Sequence, residues 1–189
     1  MILATAFDDH LDRLCGLVQG LHSAFTDASI EYRLVGGMAV FYHVNALDPL
    51  AARLTRDVDI AVKRRDLDRV AAVAGILGYR HATGGHMLVN SENPRGTAIH
   101  LLFVGERVRE KDLSATPGFT EPMITSKGYL LAPVSHLVQM KLTSYRFEDR
   151  AHIIDMDSVG LITPEVEAGL ADALRDRLRQ VRAEEAQAQ

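Results

Sequence analysis

The spacing of apolar residues predicts helices and short strands in the first part of the chain. Apolar residues at helical spacing over Phe7–Phe25 predict an amphipathic first helix. Tyr32–Val35 is a short β-type run that ends at a glycine pair, and Met38–Val44 beyond it has helical character. A polar, proline-containing loop follows over Asn45–Arg56. The pattern therefore predicts the order helix, strand, helix and loop.

The middle of the chain predicts a strand, a helix and a hairpin. Asp57–Val62 begins with alternating polar and apolar residues, which is typical of a strand. Asp66–Leu77 places its apolar residues on one helical face, and Gly78 is well placed to end that helix. The strand-like runs His86–Asn90 and Thr97–Val104 are joined by residues typical of turns, so we expect an antiparallel hairpin.

The last part of the chain is helical by pattern. Three helices are predicted there: Val134–Phe147, Arg150–Val159 and Pro164–Ala188. Residues 106–130 are interrupted by proline and glycine and stay unassigned. We therefore expect an α+β fold, with a small mixed β-sheet and its helices in residues 1–131, followed by a C-terminal helical part in residues 132–189.

Composition places the chain among ordinary globular proteins, since 47% of its 189 residues are hydrophobic and 24% are charged. No apolar run approaches the roughly 20 residues that a membrane helix needs. No basic segment precedes Asp8 and Asp9, so no secretory signal is visible. The single cysteine, Cys15, is expected to be a buried apolar side chain and suits a reducing compartment. We expect a soluble cytoplasmic protein without a membrane partner.

The first chemical signal is a pair of carboxylates. Residues two apart on a strand face the same way, so Asp57 and Asp59 are expected side by side. Magnesium prefers oxygen ligands of this kind, completed by water and substrate phosphates. A solvated strand edge that happens to carry two aspartates is the alternative.

A second signal lies upstream, at the glycine pair Gly36 and Gly37. Glycines let the backbone approach a ligand closely, and the amides at a helix start attract phosphate. Taken alone, the pair indicates only a tight turn. Next to the aspartates, it predicts a phosphate cradle beside a metal cradle, which suits a nucleoside triphosphate.

These residues together resemble a known family. The glycine pair followed by Arg53, Thr55, Asp57 and Asp59 resembles the nucleotidyltransferase superfamily, which has the polymerase-β-like fold, and within it the AbiEii-type toxins with their MenT-like branch. Leu137–Leu142 resembles the lysine-bearing helix of that group, and Asp149–Asp155 resembles the polar helix that follows it. The resemblance runs from about Tyr32 to Leu161.

The resemblance implies a metal-dependent reaction. A nucleoside monophosphate would pass from a nucleoside triphosphate to a hydroxyl of RNA, such as tRNA, or of a protein, and pyrophosphate would leave. Asp57 and Asp59 would hold Mg²⁺ or Mn²⁺. The residues that would bind the nucleotide are Gly36, Gly37, Arg53 and Thr55. The protein could then be the toxin of a toxin–antitoxin pair.

Three further site residues follow from the resemblance in the helical part. Lys141 would contact phosphate, although a lysine on an amphipathic helix is equally expected to be solvated. Asp155 would be an active-site carboxylate or the anchor that orients Lys141. Asp149 and His152 share a helical stripe with Asp155, and for Asp149 a surface ion network with Arg146 and Arg150 is the favoured interpretation.

The chain departs from the family at His100. Members of the superfamily usually carry a third carboxylate on a later central strand, where this sequence has His100 within an apolar run. Histidine can accept a proton near neutral pH, and neutral imidazole ligates Mn²⁺ or Zn²⁺ more readily than Mg²⁺. We therefore expect His100 near the site, in an active enzyme or in a degenerate fold that binds nucleotide or a partner without catalysis.

Two partner questions stay open from sequence. Basic residues that could contact RNA are Lys63, Arg64, Arg65, Arg107, Arg109 and Lys111. They do not alternate with aromatic residues, so RNA as acceptor rests on the resemblance alone. The last helix could form a dimer seam through Val166, Leu170, Leu174, Leu178 and Val181, but packing on its own helical part is favoured. The oligomeric state and an antitoxin are left undetermined.

Overall fold

The structure is a computed structural model that describes residues 2–82 and 86–188, so Met1 and Gln189, the outer ends of the two predicted domains, lie outside it. The helices are α1 (Ile2–Asp27), α2 (Gly36–Asn45), α3 (Leu67–Ile76), α4 (Val134–Ser144), α5 (Phe147–Ser158), α6 (Pro164–Ala168) and α7 (Asp172–Ala188). The strands are β1 (Tyr32–Val35), β2 (Val58–Val62), β3 (Tyr79–His81), β4 (Met87–Asn90), β5 (Ile99–Phe103), β6 (Met123–Ile124) and β7 (Leu130–Leu131). A short 3₁₀ turn precedes α3 at Arg64–Asp66.

The strands form one mixed sheet in the order β3-β4-β5-β2-β1-β7-β6. The centre of the sheet is β2, which runs antiparallel to β1 and parallel to β5. Strands β1 and β2 are almost completely buried, as their mostly apolar composition requires. The predicted α+β fold with a small mixed sheet is confirmed.

The hydrophobic core joins the sheet to both groups of helices. Helix α2 packs on β2 and also on α4 and α5, so the C-terminal helices contact the same helix that covers the sheet. The predicted boundary between residues 131 and 132 falls between β7 and α4. That the two parts are separate domains stays a prediction.

The predicted hairpin, and the predicted helix that precedes it along the chain, are both confirmed. Strands β4 and β5 pair antiparallel, with Leu88 opposite Ile99. Helix α3 covers Leu67–Ile76 and buries Val70 and Ala74, within the predicted Asp66–Leu77. Periodicity identified these elements because each of them buries one face and exposes the other.

The prediction of one long last helix is wrong. Residues 164–188 form two helices, α6 and α7, separated at Gly169. Glycine is a weak helix former, and the buried side chain of Leu170 packs into the core within the turn. Four of the five apolar residues proposed for a dimer seam are buried in this chain: Leu170, Leu174, Leu178 and Val181. They pack against the protein's own helices, as favoured.

The boundary between α4 and α5 also differs from the prediction. Helix α4 ends at Ser144 because Tyr145 adopts a left-handed conformation, with φ of 53°, and closes the last turn by donating its N–H to the carbonyl of Lys141. Helix α5 begins at Phe147 rather than Arg150 because the carboxylate of Asp149 accepts the backbone N–H of Arg146 at 3.2 Å and so caps the first turn. Apolar spacing does not register either of these local caps.

Short elements escaped sequence analysis. Strands β3, β6 and β7 have three residues or two, too few to show alternation. Strand β2 begins at Val58, so Asp57 lies just before it rather than on it. Cys15 is half-buried rather than buried, with its Sγ 3.6 Å from the Tyr42 hydroxyl.

A search of the helices over the described ranges found none with both the length and the apolar composition to cross a bilayer.

We predict that Leu178→Ala lowers the free energy of unfolding by about 2–5 kcal/mol, because it empties a fully buried position on α7. The measurement is urea denaturation at two protein concentrations. Leu50→Ala is the control, since Leu50 is 97% exposed, and we expect it to change stability by less than about 0.5 kcal/mol. A loss at Leu178 that varies with protein concentration would contradict packing within one chain and favour a dimer seam.

Candidate functional site

The centre of the site is a contact between Asp59 and Gly36. The antiparallel register of β1 and β2 sets Val35 opposite Asp59, so the first residue of α2 lies directly beside the carboxylate. Gly36 has φ of +64°, a left-handed conformation that favours glycine. A Cβ built on Gly36 would lie 2.6 Å from the Cβ of Asp59. The missing side chain is therefore what admits the carboxylate to the start of α2.

Asp57 lies at the entrance to β2. Its Oδ1 accepts the backbone N–H of Ala98 at 2.8 Å, which ties the start of β2 to the residue before β5. No hydrogen bond to its Oδ2 is found among the described residues. Asp57 and Asp59 are both half-buried, so each keeps an oxygen that can receive a ligand.

His100 lies beside Asp59 across the parallel β2–β5 pairing. Its Nδ1 donates to Oδ1 of Asp59 at 3.0 Å. This hydrogen bond raises the pKa of His100 above its ordinary 6.5, and burial opposes the rise. The structure therefore brings the predicted residues His100 and Asp59 together, with Nε2 of His100 directed away from the bond to Asp59 by the geometry of the ring.

Gly37 lies on another side of the site, against Thr55 and His152. A Cβ on Gly37 would come within 2.8 Å of the Thr55 hydroxyl oxygen and 3.4 Å of Cε1 of His152. His152 is 6% exposed, and its Nδ1 is buried without a hydrogen-bond partner. Burial, together with the charge of Lys141, lowers the pKa of His152 to about 4, so the ring is neutral at pH 7.

Arg53 and Asp155 form an ion pair. The guanidinium donates from Nε to Oδ2 at 3.0 Å and from Nη2 to Oδ1 at 3.2 Å. This two-point geometry fixes both planes and joins the loop before β2 to α5. The predicted nucleotide-binding Arg53 and the predicted carboxylate Asp155 are therefore brought together, with Asp155 engaged by arginine.

Lys141 is held by Asp149 rather than by Asp155. Its Nζ donates to Oδ1 of Asp149 at 2.9 Å, and the two residues are 7% and 1% exposed. Arg146 donates from Nε to Oδ2 of the same carboxylate at 2.8 Å. Asp149 is thus the centre of a buried network of two cations and one carboxylate.

The prediction of a surface ion network around Asp149 is wrong in two respects. Asp149 is buried, and Arg150, one of its expected partners, instead pairs with Glu184. Burial alone would raise the pKa of Asp149, but the hydrogen bond from Arg146 and the charge of Lys141 outweigh it and hold the pKa well below 3.8. The carboxylate is therefore ionised, and it neutralises much of the charge that Lys141 would otherwise offer to a phosphate.

A cleft of about 300 Å³ opens beside these groups. It begins at Gly36, Asp59 and His100 and reaches Lys141 and Arg146. Its further walls are mostly apolar and come from β4, β5, α4 and the loop after β5, with Met87, Leu102, Val108, Ala115, Leu137 and Met140 among them. A concave, mostly apolar space with a few convergent polar groups is the usual form of a small-ligand site.

The donor set for a metal consists of the two aspartates. Within residues 2–82 and 86–188, no three carboxylate, imidazole or thiol side chains converge on one position. Magnesium is commonly bound through one or two carboxylates and takes its other ligands from water and substrate phosphates. Asp57 and Asp59, each with an oxygen to spare, fit that requirement.

Sequence analysis missed the roles of Arg146 and Asp149. Arg146 lines the cleft, and the charge of Asp59 acts on it. A signal existed, because a carboxylate in the first turn of a helix can accept the backbone N–H of the residue that precedes the helix, here Arg146. The apolar walls of the cleft left no such signal, since each of their residues belongs to an ordinary apolar pattern.

Comparison with solved structures shows what this fold resembles. The solution structure of the antibiotic-resistance factor ANT(2″)-Ia aligns with a TM-score of 0.56 and 14% identity, over 94% of this chain and 97% of that one. Its crystal structure in complex with adenylyl-2″-tobramycin aligns with a TM-score of 0.54 and 13% identity, over 87% and 96%. The chain therefore has a nucleotidyltransferase-like fold.

Other comparisons add little. The structure of CdnC from E. coli MS115-1 with ATP aligns at a TM-score of 0.40 and 12% identity, over 97% of this chain and 61% of that one, which is too weak to support an inference. No protein-family model matches the chain, and no curated protein matches it either. The fold is thus supported by structure alone, and the AbiEii-type and MenT-like assignment stays a prediction.

We predict that Gly36→Ala destabilises the protein by about 2 kcal/mol or more, because a left-handed non-glycine residue costs roughly 1–2 kcal/mol and the contact with Asp59 adds to it. Urea denaturation measures the change. The control is Gly16→Ala, at an exposed helical position where a Cβ meets no atom within 4 Å; alanine there should stabilise by about 0.5–1 kcal/mol. Equal stability of Gly36→Ala and the wild type would contradict the described contact.

We predict that Asp149→Asn lowers the free energy of unfolding at pH 7 by about 3–5 kcal/mol, because it leaves buried Lys141 without its counter-charge. Asp172→Asn is the control, since its pair with Arg175 has an aspartate side chain that is 90% exposed. We expect that control to stay within about 1 kcal/mol of the wild type.

The ion pair between Asp149 and Lys141 makes the free energy of unfolding depend on pH. The folded-state pKa of Asp149 lies below its unfolded value of 3.8, so its stabilising effect is complete above pH 3.8 and is lost as the pH falls below it. The difference between wild type and Asp149→Asn should therefore shrink in acid. Denaturation measured across this range checks it, and a constant difference would argue against an ionised, buried Asp149.

Proposed function

We propose that this chain transfers a nucleoside monophosphate from a nucleoside triphosphate to an acceptor hydroxyl. The hydroxyl oxygen forms a bond to the α-phosphorus while the bond from that phosphorus to the bridging oxygen breaks. Pyrophosphate leaves, and the hydroxyl proton passes to a base. The observation that carries the proposal is the contact of the Asp59 carboxylate with the glycine start of α2, within a nucleotidyltransferase-like fold.

The chain's own groups suit the positioning that phosphoryl transfer requires. The backbone amides at Gly36 and Gly37 open a helix of ten residues and can receive phosphate oxygens. Thr55 lies against Gly37, so its hydroxyl is close to the same position. Alignment and charge neutralisation supply most of the catalysis in such reactions, and covalent help from the protein is small.

Asp57 and Asp59 would hold the divalent cation, Mg²⁺ or Mn²⁺. When bound, that cation supplies the positive charge that offsets the triphosphate oxygens. Arg146, which is half-exposed and lines the cleft, adds fixed positive charge beside Asp59. Lys141 remains a predicted phosphate contact, with its charge shared by Asp149.

His100 is proposed to receive the acceptor proton. Its Nδ1 is engaged by Asp59, which leaves Nε2 as the nitrogen that can accept. A carboxylate that holds the other ring nitrogen orients an imidazole and increases its basicity. The arrangement thus offers a base at the strand position where the family usually carries an acid.

The acceptor and biological role remain predictions from the resemblance. It predicts RNA, such as tRNA, or a protein as acceptor, and an antitoxin as partner. Two of the basic residues proposed to contact RNA are already paired: Lys63 with Glu31 and Arg64 with Glu106. Arg107, Arg109 and Lys111 are exposed, so any RNA contact would depend on them and on Arg65.

Nucleotide binding without turnover is the second candidate function. The observation that favours it is the hydrogen bond from His100 to Oδ1 of Asp59. A third carboxylate in the place of His100 would leave that oxygen available to a cation. In that case the fold would sense nucleotide or hold a partner.

The test is transfer of label from each α-labelled nucleoside triphosphate, with Mg²⁺ or Mn²⁺, onto total RNA, cell-extract protein and small metabolites. We expect label with the wild type and at least a thousandfold less with Asp57→Asn/Asp59→Asn, since both proposed metal ligands are removed. Asp172→Asn is the control, because that carboxylate is 90% exposed and does not line the cleft. Nucleotide binding without label would support the second candidate.

His100→Asp and His100→Ala separate the two candidates further. If His100 is the base, alanine should reduce transfer by about 100-fold or more, in line with general-base catalysis. If His100 instead makes the fold inactive, His100→Asp should create activity that the wild type lacks. Wild-type activity that neither variant changes would contradict a role for His100.

A further inference from the structure

The part of the cleft beyond Asp59 and His100 is apolar and open at its mouth. Leu137 and Leu101 close its inner walls and are buried. At the mouth, Val108 is 65% exposed and Met87 is 36% exposed. Exposed apolar side chains that converge on one concave space indicate a ligand with an apolar body.

Each described carboxylate that lines the cleft already accepts a hydrogen bond from within the chain. Asp59 accepts from His100, and buried Asp149 accepts from Lys141 and Arg146. Asp112 accepts the backbone N–H of Arg109. Among the described residues, the carboxylates that line the cleft are these three, and each already serves a partner in the chain, which suits a ligand with several ammonium groups poorly.

Positive groups along the cleft are less completely engaged. Arg146 donates to Asp149 from Nε at 2.8 Å and from Nη2 at 3.4 Å, while no hydrogen bond from its Nη1 is found over the described ranges, and its side chain is 55% exposed. Arg109, at the mouth, is exposed and has no ion pair with any described residue. Guanidinium groups with unengaged N–H donors can pair with a carboxylate or another acidic group.

The groups proposed for the triphosphate lie mostly outside this space. Gly37, Thr55 and Arg53 do not line the cleft, whereas Gly36, Asp59 and His100 do. The cleft therefore meets the proposed reaction at the side of His100, where the acceptor proton would be received.

We propose that the acceptor is a small hydroxylated molecule with an apolar body and an acidic group. Its hydroxyl would lie at His100, its body along Met140 and Val108, and its acidic group at Arg146 or Arg109. The proposal rests on the proposed function and departs from the RNA or protein acceptor that the resemblance predicts. It also separates this chain from ANT(2″)-Ia, whose crystal structure is a complex with adenylyl-2″-tobramycin.

Three probes of equal length test the proposal: 8-hydroxyoctanoate, octane-1,8-diol and 8-aminooctan-1-ol. Each carries a hydroxyl on an eight-carbon chain, and the other end is negative, neutral or positive. Binding to the full chain is measured by ligand-observed NMR, with and without a non-hydrolysable nucleoside triphosphate. We expect the hydroxy acid to bind about tenfold or more tightly than the amino alcohol, and together with the nucleotide.

Variants locate the binding. Arg146→Gln should remove most of the preference for the acid while leaving the diol unchanged, and Arg109→Gln tests the second guanidinium in the same way. Arg150→Gln is the control, because Arg150 lies on α5 four residues after Arg146 but pairs with Glu184. Circular dichroism confirms that each variant is folded.

Transfer of label onto the three probes separates this proposal from the proposed function. Label on RNA or protein, with no binding of any probe, would overturn the acceptor class and leave the transferase proposal standing. Selective binding of the acid without label on any acceptor would overturn the transferase proposal. Preference for the amino alcohol or for tobramycin, or displacement of the acid by the nucleotide, would overturn the inference.

Discussion

The site depends on a steric constraint at one glycine. The pairing of β1 with β2 brings Asp59 opposite the end of β1, where the chain turns into α2 through Gly36 in a left-handed conformation. Any side chain at Gly36 would occupy the space of the Asp59 carboxylate. Because that space stays open, a negative group from the central strand reaches the helix start whose amides attract anions. Two opposite electrostatic features thus meet at one point.

Buried charge on α4 and α5 holds the opposite wall of the cleft in place. Asp149 binds Lys141 across the two helices and binds Arg146 at the cap of its own helix. A buried carboxylate with two cationic donors is costly to disrupt, since any loss leaves an unpaired charge in the interior. The same network keeps Arg146 at the edge of the cleft with one nitrogen unengaged. Stability and a binding surface are therefore supplied by the same three side chains.

The interaction between Asp59 and His100 sets the chemistry that we propose for this edge of the sheet. A carboxylate at the position of His100 would repel Asp59 unless a cation lay between them. The imidazole instead donates to Asp59 and leaves its other nitrogen for a proton. The apolar cleft lies directly beyond this pair, on the side where we propose that the acceptor binds.

Sequence by itself determined the α+β class, the β4–β5 hairpin and α3, because periodicity depends on neighbours along the chain, and it singled out Gly36, Asp57, Asp59 and His100 as candidate site residues. It could not show that α6 and α7 are separate, that Asp149 rather than Asp155 holds Lys141, or that an apolar cleft adjoins His100. These features join residues from different elements, and the distances between such residues are fixed only when the sheet and the C-terminal helices pack together. Burial, which decides whether Asp149 is a solvated side chain or the centre of an ion network, is a property of that packing.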